Sequence, residues 1–302
     1  MSLFDQLTDE AIRQTDNIAT LRVVVEKELL HHDIIREMSR SGLLEQLTFM
    51  GGTCLRACYG SNRLSEDLDF TGGHDFDKSS LSKLADVLIK QLYAKYGLQI
   101  NVTEPKRETG NVDTWKLKVI TRPKQRSMPM QRINIDICIN IDICSIPSYD
   151  KRLSVLRNHY SVDMGTGNLL LQIESREEIF ADKIVAFALR PNRIKSRDLW
   201  DIAWLTQQGI QLPTELVLRK IRDHKQEQTE FLNKLQIRKE ELTLNSNLES
   251  AFQQEISRFL PPKIIKSSIQ VKGFWMYLTQ IMSDACDKVV KSTSENQSIY
   301  KL

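Results

Sequence analysis

No stretch of this 302-residue sequence stays apolar for the roughly 18 residues that a membrane-spanning helix needs, so no membrane partner is expected. Cysteine is scarce: five residues, an odd number, scattered and without a C-x-x-C pair. That excludes a disulfide framework and a structural zinc site, and it fits a reducing, cytoplasmic setting. Charge of one sign is also lacking. Lys and Arg total 42 and Asp and Glu 39, a formal net charge of +3. Such a balance announces no nucleic-acid surface, and DNA binding is not expected; a local basic cluster would have to carry any such claim. The opening MSLFDQLTDEAIRQT is polar and acidic, unlike a signal peptide. No repeat of solenoid length is present. What remains is ordinary globular composition, 41% hydrophobic and 27% charged, in a chain long enough for about two domains.

Periodicity gives a coarse map. Residues 19–41 place Leu21, Val24, Val25, Leu29 and Ile34 or Ile35 near i, i+3, i+4 spacing, which predicts a helix with Gly42 at its end. LTFM at 47–50 predicts a short strand running into Gly51-Gly52-Thr53, and 53–59 a short helix. SEDLDFTG (65–72) reads as a turn and a strand, and Lys78–Tyr96 as an amphipathic helix. WKLKVIT (115–121) alternates as a strand, and RPKQRSMPMQ (122–131) is a basic, proline-broken loop. INIDICINIDIC (133–144) writes one hexapeptide twice. After about residue 165 the pattern becomes helical, at 176–190, at 196–208 and almost throughout from 213, broken once by Pro261-Pro262. The expectation is an α+β chain, with a small mixed sheet in residues 1–165 and a helical domain in 166–302.

Chemistry concentrates in FMGGTCLRACYGSNRLSEDLDF, residues 49–70. A strand ending in Gly51-Gly52-Thr53 at a helix start lets backbone approach a phosphate. Free N–H groups and the Thr53 hydroxyl would form an anion cradle. Further on, Asp67 and Asp69 are separated by one leucine. On a strand they share a face, where paired carboxylates suit hard divalent cations. A glycine pair alone is most often a turn, and an Asp-x-Asp alone is most often a solvated strand face. Together they are the apparatus of phosphoryl or nucleotidyl transfer with two metals. Arg63 either reaches a phosphate or braces the loop before Asp67. Ser65 precedes Glu66 and has no partnered histidine, so no hydrolase triad is visible, and the His31-His32 pair lacks metal-ligand spacing.

The Gly-Gly-Ser/Thr and Asp-x-Asp pattern resembles the polymerase-β-like nucleotidyltransferases. The wording of 49–70 is similar to the AbiEii/AbiGii abortive-infection toxin family. The resemblance extends upstream to KELLHHDII and downstream to ESREEIFADKIVAFALRPNRIKSRDLWDI (174–202), spanning roughly residues 20–205. It implies a polymerase-β-like core, Gly52 and Thr53 on the nucleotide phosphates, and Asp67 and Asp69 as metal ligands. It implies Lys183 as a phosphate-contacting lysine, and Asp198 as a catalytic acidic residue that acts as a base or orients the lysine. It further implies Mg²⁺, an NTP substrate, a cognate antitoxin, and an RNA acceptor such as a tRNA 3′ end.

The second stretch also reads by itself. Lys183 is a cation mid-helix among apolar residues. It either meets a triphosphate, pairs with Glu178 or Asp182, or snorkels its ammonium to the surface. Arg190, Arg193, Lys195 and Arg197 form a basic cluster that either steers nucleotide or RNA phosphates or is a solvated loop. Asp201 reads as an acid favoured by the helix dipole. Trp200 and Trp204 read as core.

In the repeat, the isoleucines share one parity, and Asn134, Asp136, Asn140 and Asp142 the other. Six residues span roughly 20 Å, whereas paired catalytic metals lie about 4 Å apart, so only one aspartate can join a site. The family pattern, an acidic residue just before a turn such as SIPSYD, favours Asp142 over Asp136. Two other functions stay open: transfer to a small molecule or protein hydroxyl, and a non-catalytic module that binds antitoxin or RNA.

Overall fold

The structure, a computed structural model, describes residues 2–13, 21–105, 111–120 and 136–299. The basic loop at 122–131, residues 133–135 of the repeat and residues 19–20 of the first predicted helix lie outside the described residues. The chain divides into two units, Met1–Ile173 and Glu174–Leu302.

The first unit carries helices α1 (Leu3–Arg13), α2 (Arg22–Arg40), α3 (Gly51–Ala57) and α4 (Leu84–Tyr96). Its strands are β1 (Thr48–Met50), β2 (Leu68–Thr71), β3 (Gln99–Thr103), β4 (Val112–Ile120), β5 (Asp136–Cys144), β6 (Lys151–Val155) and β7 (Leu170–Glu174). They form one mixed sheet in the order β3-β4-β5-β2-β1-β7-β6. β2 runs parallel to β5 and antiparallel to β1, and β1 pairs in parallel with β7 through Phe49 and Ile173. The sheet is larger than expected: β3 (QINVT) and β7 (LLQIE) are only five residues long, and β6, with no buried residue, carries no apolar stripe.

β5 shows what the repeat does. Ile137, Ile139, Ile141 and Ile143 are all buried, while Asn140 and Asp142 on the opposite parity are partly exposed. α2 packs against β5, α1 and α4. Its polar residues Glu26, Glu28, His31, His32, Asp33, Arg36 and Glu37 are buried along with the apolar ones. Pairing makes this tolerable. Asp33, for example, accepts from Lys95 at 2.6 Å and from the Tyr96 hydroxyl, and pairs with Arg36 at 2.7 Å. Gly42, at φ +73°, follows the end of α2, where Leu43 N–H closes onto the Met38 carbonyl. The helix expected over 78–96 begins as a separate 3-10 turn, Lys78–Leu81. Asp77 there draws the Ser79 N–H to its carboxylate (2.9 Å), a local bond that competes with helix propagation.

The second unit is helical: α5 (Arg176–Leu189), α6 (Ser196–Gln207), α7 (Thr214–Asp223), α8 (Gln228–Leu244), α9 (Leu248–Ile256), α10 (Pro262–Ser267) and α11 (Phe274–Ile299). The Ser175 hydroxyl caps α5 by accepting the Glu178 N–H at 3.0 Å. Pro262 stands at the first position of α10, where its missing N–H costs nothing. Further breaks fall where sequence reading saw continuous helix, among them Asn245, whose side chain accepts the Asn247 N–H. α5 packs against α6, α7 and α8, and α11 against the same three. Trp200 and Trp204 are buried, as expected. Lys220 of α7 is buried with three carboxylates, pairing with Asp182 at 2.6 Å, Glu178 at 2.8 Å and Glu174 at 3.7 Å. The Lys183 alternatives named from sequence, Glu178 and Asp182, therefore belong to another lysine.

Candidate active site

Backbone geometry explains Gly51. At φ +74° it occupies a conformation that L-residues disfavour, and it turns the end of β1 into α3. A Cβ there would sit 2.5 Å from Asp69 Oδ2 and 3.0 Å from Asp69 Cβ and Cγ. The glycine is what lets Asp69 lie against the turn. Register then extends a row across the sheet. Met50 pairs with Asp69, Asp69 with Asp142, and Asp142 with Thr114, so β1, β2, β5 and β4 each give one member. Neighbouring strands lie about 4.8 Å apart and cross-strand partners share a face, so the Asp69 and Asp142 carboxylates stand side by side. The Thr114 hydroxyl donates to Asp142 Oδ1 at 2.6 Å. Asp67 sits just before β2, and its Oδ1 accepts the Asn140 N–H at 3.1 Å. Asp136 opens β5, paired with Ile120 at the far end from Asp142.

The phosphate cradle differs from the expectation at Thr53. This residue is buried, and its hydroxyl bonds the Ser65 hydroxyl (2.7 Å) and the Asp67 carbonyl. It braces the Asp-x-Asp segment from within instead of presenting an oxygen outward. Gly52 is also buried. Arg63 is buried as well and donates to the Leu64 carbonyl at 2.9 Å, which supports the loop-bracing reading.

A second brace was not foreseen. Three residues of α2 hold the chain just before Asp67: Lys27 pairs with Glu66 at 2.8 Å, Glu28 accepts the Ser65 N–H at 3.0 Å, and His31 Nε2 bonds the Glu66 carbonyl at 3.0 Å. Glu28 also accepts from the Tyr160 hydroxyl (2.6 Å) and Arg56 (3.2 Å). Burial works to raise its pKa, but these partners outweigh it and hold it below the ordinary value. Burial pushes both histidines down, His32 to about 4, so they sit neutral, with His32 Nδ1 bonding the Thr166 hydroxyl.

In the second unit, Lys183 Nζ donates to Asp198 Oδ1 at 2.6 Å and pairs with Asp201 at 3.0 Å. Arg190 takes the other oxygen of Asp198 at 3.0 Å. Asp201 is therefore no helix-dipole acid: it is fully buried, beyond the first turn of α6, and a partner of Lys183. Its spacing of three from Asp198 was the available signal, since both then face one cation. Burial acts to raise the Asp198 pKa, yet Lys183, Arg190 and Lys195 hold it well below the usual carboxylate range. Asp198 is thus an ionised carboxylate bonded at both oxygens, to Lys183 at one and to Arg190 at the other. Arg197 lies over the Phe259 ring, 4.8 Å from its centroid.

The chain matches the family model described as nucleotidyl transferase AbiEii toxin, Type IV TA system, over residues 33–278. This chain belongs to the AbiEii nucleotidyltransferase toxin family. It is thus an AbiEii-type nucleotidyltransferase toxin of a type IV toxin–antitoxin system, and an antitoxin counterpart goes with such a system. Comparison with curated proteins gave no match. Among solved structures, MenT4, a nucleotidyltransferase toxin from Mycobacterium tuberculosis H37Rv, is similar in fold, with TM-score 0.52 and 14% identity over 95% of this chain and 98% of that one. JHP933 from Helicobacter pylori gives TM-score 0.49 and 16% identity over 92% and 97%.

Nucleotidyltransferases take NTP substrates and typically divalent metals. Among the described residues no three His, Cys, Asp or Glu side chains converge as a ready-made metal cage. The paired carboxylates of Asp69 and Asp142 nevertheless fit Mg²⁺, which prefers a few carboxylate oxygens and keeps much of its water. No helix is long and apolar enough to cross a membrane among the described residues.

Proposed function

We propose that this AbiEii-family toxin transfers nucleotides from an NTP to RNA in a Mg²⁺-dependent reaction, with the 3′ end of tRNA as acceptor and the cytoplasm as its place of action. The observation that carries the reading is the row in which Asp69 lies beside Asp142 and against the Gly51 turn. In the reaction, an acceptor hydroxyl oxygen bonds the α-phosphorus, the bond to the β-phosphate oxygen breaks, and pyrophosphate leaves. Asp67, Asp69 and Asp142 would hold the cation. When bound, it would polarise phosphoryl oxygens and ease loss of the hydroxyl proton.

The chain's own residues set the stage for this. Gly51 keeps the turn close to Asp69, and Thr53, Glu28 and His31 fix the backbone leading into Asp67. Gly51, partly exposed at the turn, offers backbone to the phosphates. In the second unit Lys183 is fixed by Asp198 and Asp201. The test is transfer of labelled NTP to purified tRNA in Mg²⁺. Label confined to RNase-resistant material would move the acceptor to a protein or small molecule. Absence of transfer by a protein that binds NTP would overturn the proposal.

A further inference from the structure

The three candidate carboxylates are fixed by different devices. Asp69 lies against the Gly51 turn, and Asp67 Oδ1 accepts the backbone N–H of Asn140 at 3.1 Å. Asp142 is held by a side chain: the Thr114 hydroxyl of β4 donates to its Oδ1 at 2.6 Å. A hydroxyl can be exchanged without touching the backbone, so this device can be tested by itself.

The strands beneath the contact are well anchored. Thr114 and Asp142 are register partners on β4 and β5. Trp115, next to Thr114, is buried, and so are Ile141 and Ile143 on either side of Asp142. Asp113, the other neighbour of Thr114, pairs with Lys78 at 2.8 Å. The two side chains themselves stand on the partly exposed face of the sheet. An aspartate there turns about χ1 and χ2, and water competes for its oxygens. Threonine is stiff at χ1, and a hydroxyl this close to a carboxylate makes a strong, charge-assisted hydrogen bond. One rigid donor therefore removes much of the freedom of Asp142.

We propose that Thr114 is a positioning residue for nucleotidyl transfer: its hydroxyl holds the Asp142 carboxylate in the orientation in which it joins Asp69 in binding a divalent cation. The inference rests on the proposed reading of Asp69 and Asp142 as cation ligands. Groups that orient metal-binding side chains are worth about ten- to a hundredfold in metal affinity. Valine has the shape of threonine and suits a strand but cannot donate, whereas serine keeps the donor.

Mn²⁺ binding to the full chain, followed by electron paramagnetic resonance without nucleotide or RNA, tests this, because Mn²⁺ takes the same oxygen ligands as Mg²⁺. Thr114→Val should weaken Mn²⁺ binding at least about tenfold, with the urea midpoint of the metal-free protein unchanged. Thr114→Ser should bind as the wild type does. Asp142→Asn, measured beside them, should bind more weakly than the wild type. Wild-type affinity in Thr114→Val together with weakened binding in Asp142→Asn overturns the positioning role and leaves the cation reading standing. No Mn²⁺ bound by the wild type, or unchanged affinity in Asp142→Asn, removes the cation reading and the proposal with it. A loss in Thr114→Val that Thr114→Ser does not restore also overturns the proposal, since the hydroxyl is then not the group that matters. So does a lowered urea midpoint in metal-free Thr114→Val, since the hydroxyl would then serve the sheet itself. Binding is read apart from catalysis, so a protein that transfers nothing still answers the question.

Discussion

Replacing Lys183 with methionine should damage the fold before it says anything about catalysis. The ammonium is 14% exposed, and its partners Asp198 and Asp201 are 3% and 0% exposed. Methionine keeps the apolar stem but leaves Asp201 buried without that cation, while Asp198 retains Arg190 at 3.0 Å. Removing one member of a buried ionic pair costs about 3–5 kcal/mol, a large part of a typical folding stability of about 5–15 kcal/mol. Arg190 should keep the loss near the lower end, about 3 kcal/mol. Urea denaturation followed by tryptophan fluorescence suits the test, because Trp200, Trp204 and Trp275 lie in the same unit.

The pH dependence adds a check. The Asp198 pKa is lowered in the folded state, so its contribution to stability is present above the unfolded value of about 4 and is lost as pH falls towards the folded one. The penalty of Lys183→Met should therefore shrink in acid. An unchanged urea midpoint in Lys183→Met at neutral pH would refute this reasoning, and it would mean that the lysine's ion pairs are not what keeps it in α5.

Other expectations concern the first unit. Gly51→Ala forces a side chain into φ +74° against Asp69, and should cost about 1–3 kcal/mol in thermal or urea unfolding and reduce transfer sharply. Asp142→Asn should cut transfer at least about a hundredfold, as loss of a charge-stabilising group does, whereas Asp136→Asn should transfer label at nearly the wild-type rate; equal activity of the two variants would remove Asp142 from the site. His32 has a depressed pKa of about 4 and is neutral in the fold. Its contribution is thus present above the unfolded value of about 6.5 and disappears as pH falls through about 4. Wild-type stability should drop by about 3 kcal/mol across that window from this group, and by less in His32→Gln.

Much of the candidate-site row was legible because it depends on short-range rules. Parity along INIDICINIDIC separated the isoleucines from Asp142, and Ile137, Ile139, Ile141 and Ile143 are indeed buried, while the Gly-Gly to Asp-x-Asp spacing placed a turn beside a strand. What escaped reading depends on partners distant in sequence. The Thr53 hydroxyl turns to Ser65 and Asp67, Glu28 closes onto Ser65 and Tyr160, and Lys220 collects the carboxylates that local spacing assigned to Lys183. Periodicity also reports burial only when a stripe is buried. α2 is buried nearly all round, its charged groups paired, which its apolar spacing did not show, and β6, with no buried residue, left no trace.

The central claim is that the Asp69 and Asp142 pair serves nucleotidyl transfer to RNA. The most direct measurement incubates the protein with each labelled NTP, Mg²⁺ and total cellular RNA, beside an Asp69→Asn variant checked to unfold at the wild-type midpoint. The account predicts label on tRNA 3′ ends with the wild type and none with the variant. Label transferred equally by both proteins, or no RNA labelled by a wild type that binds NTP, would contradict it.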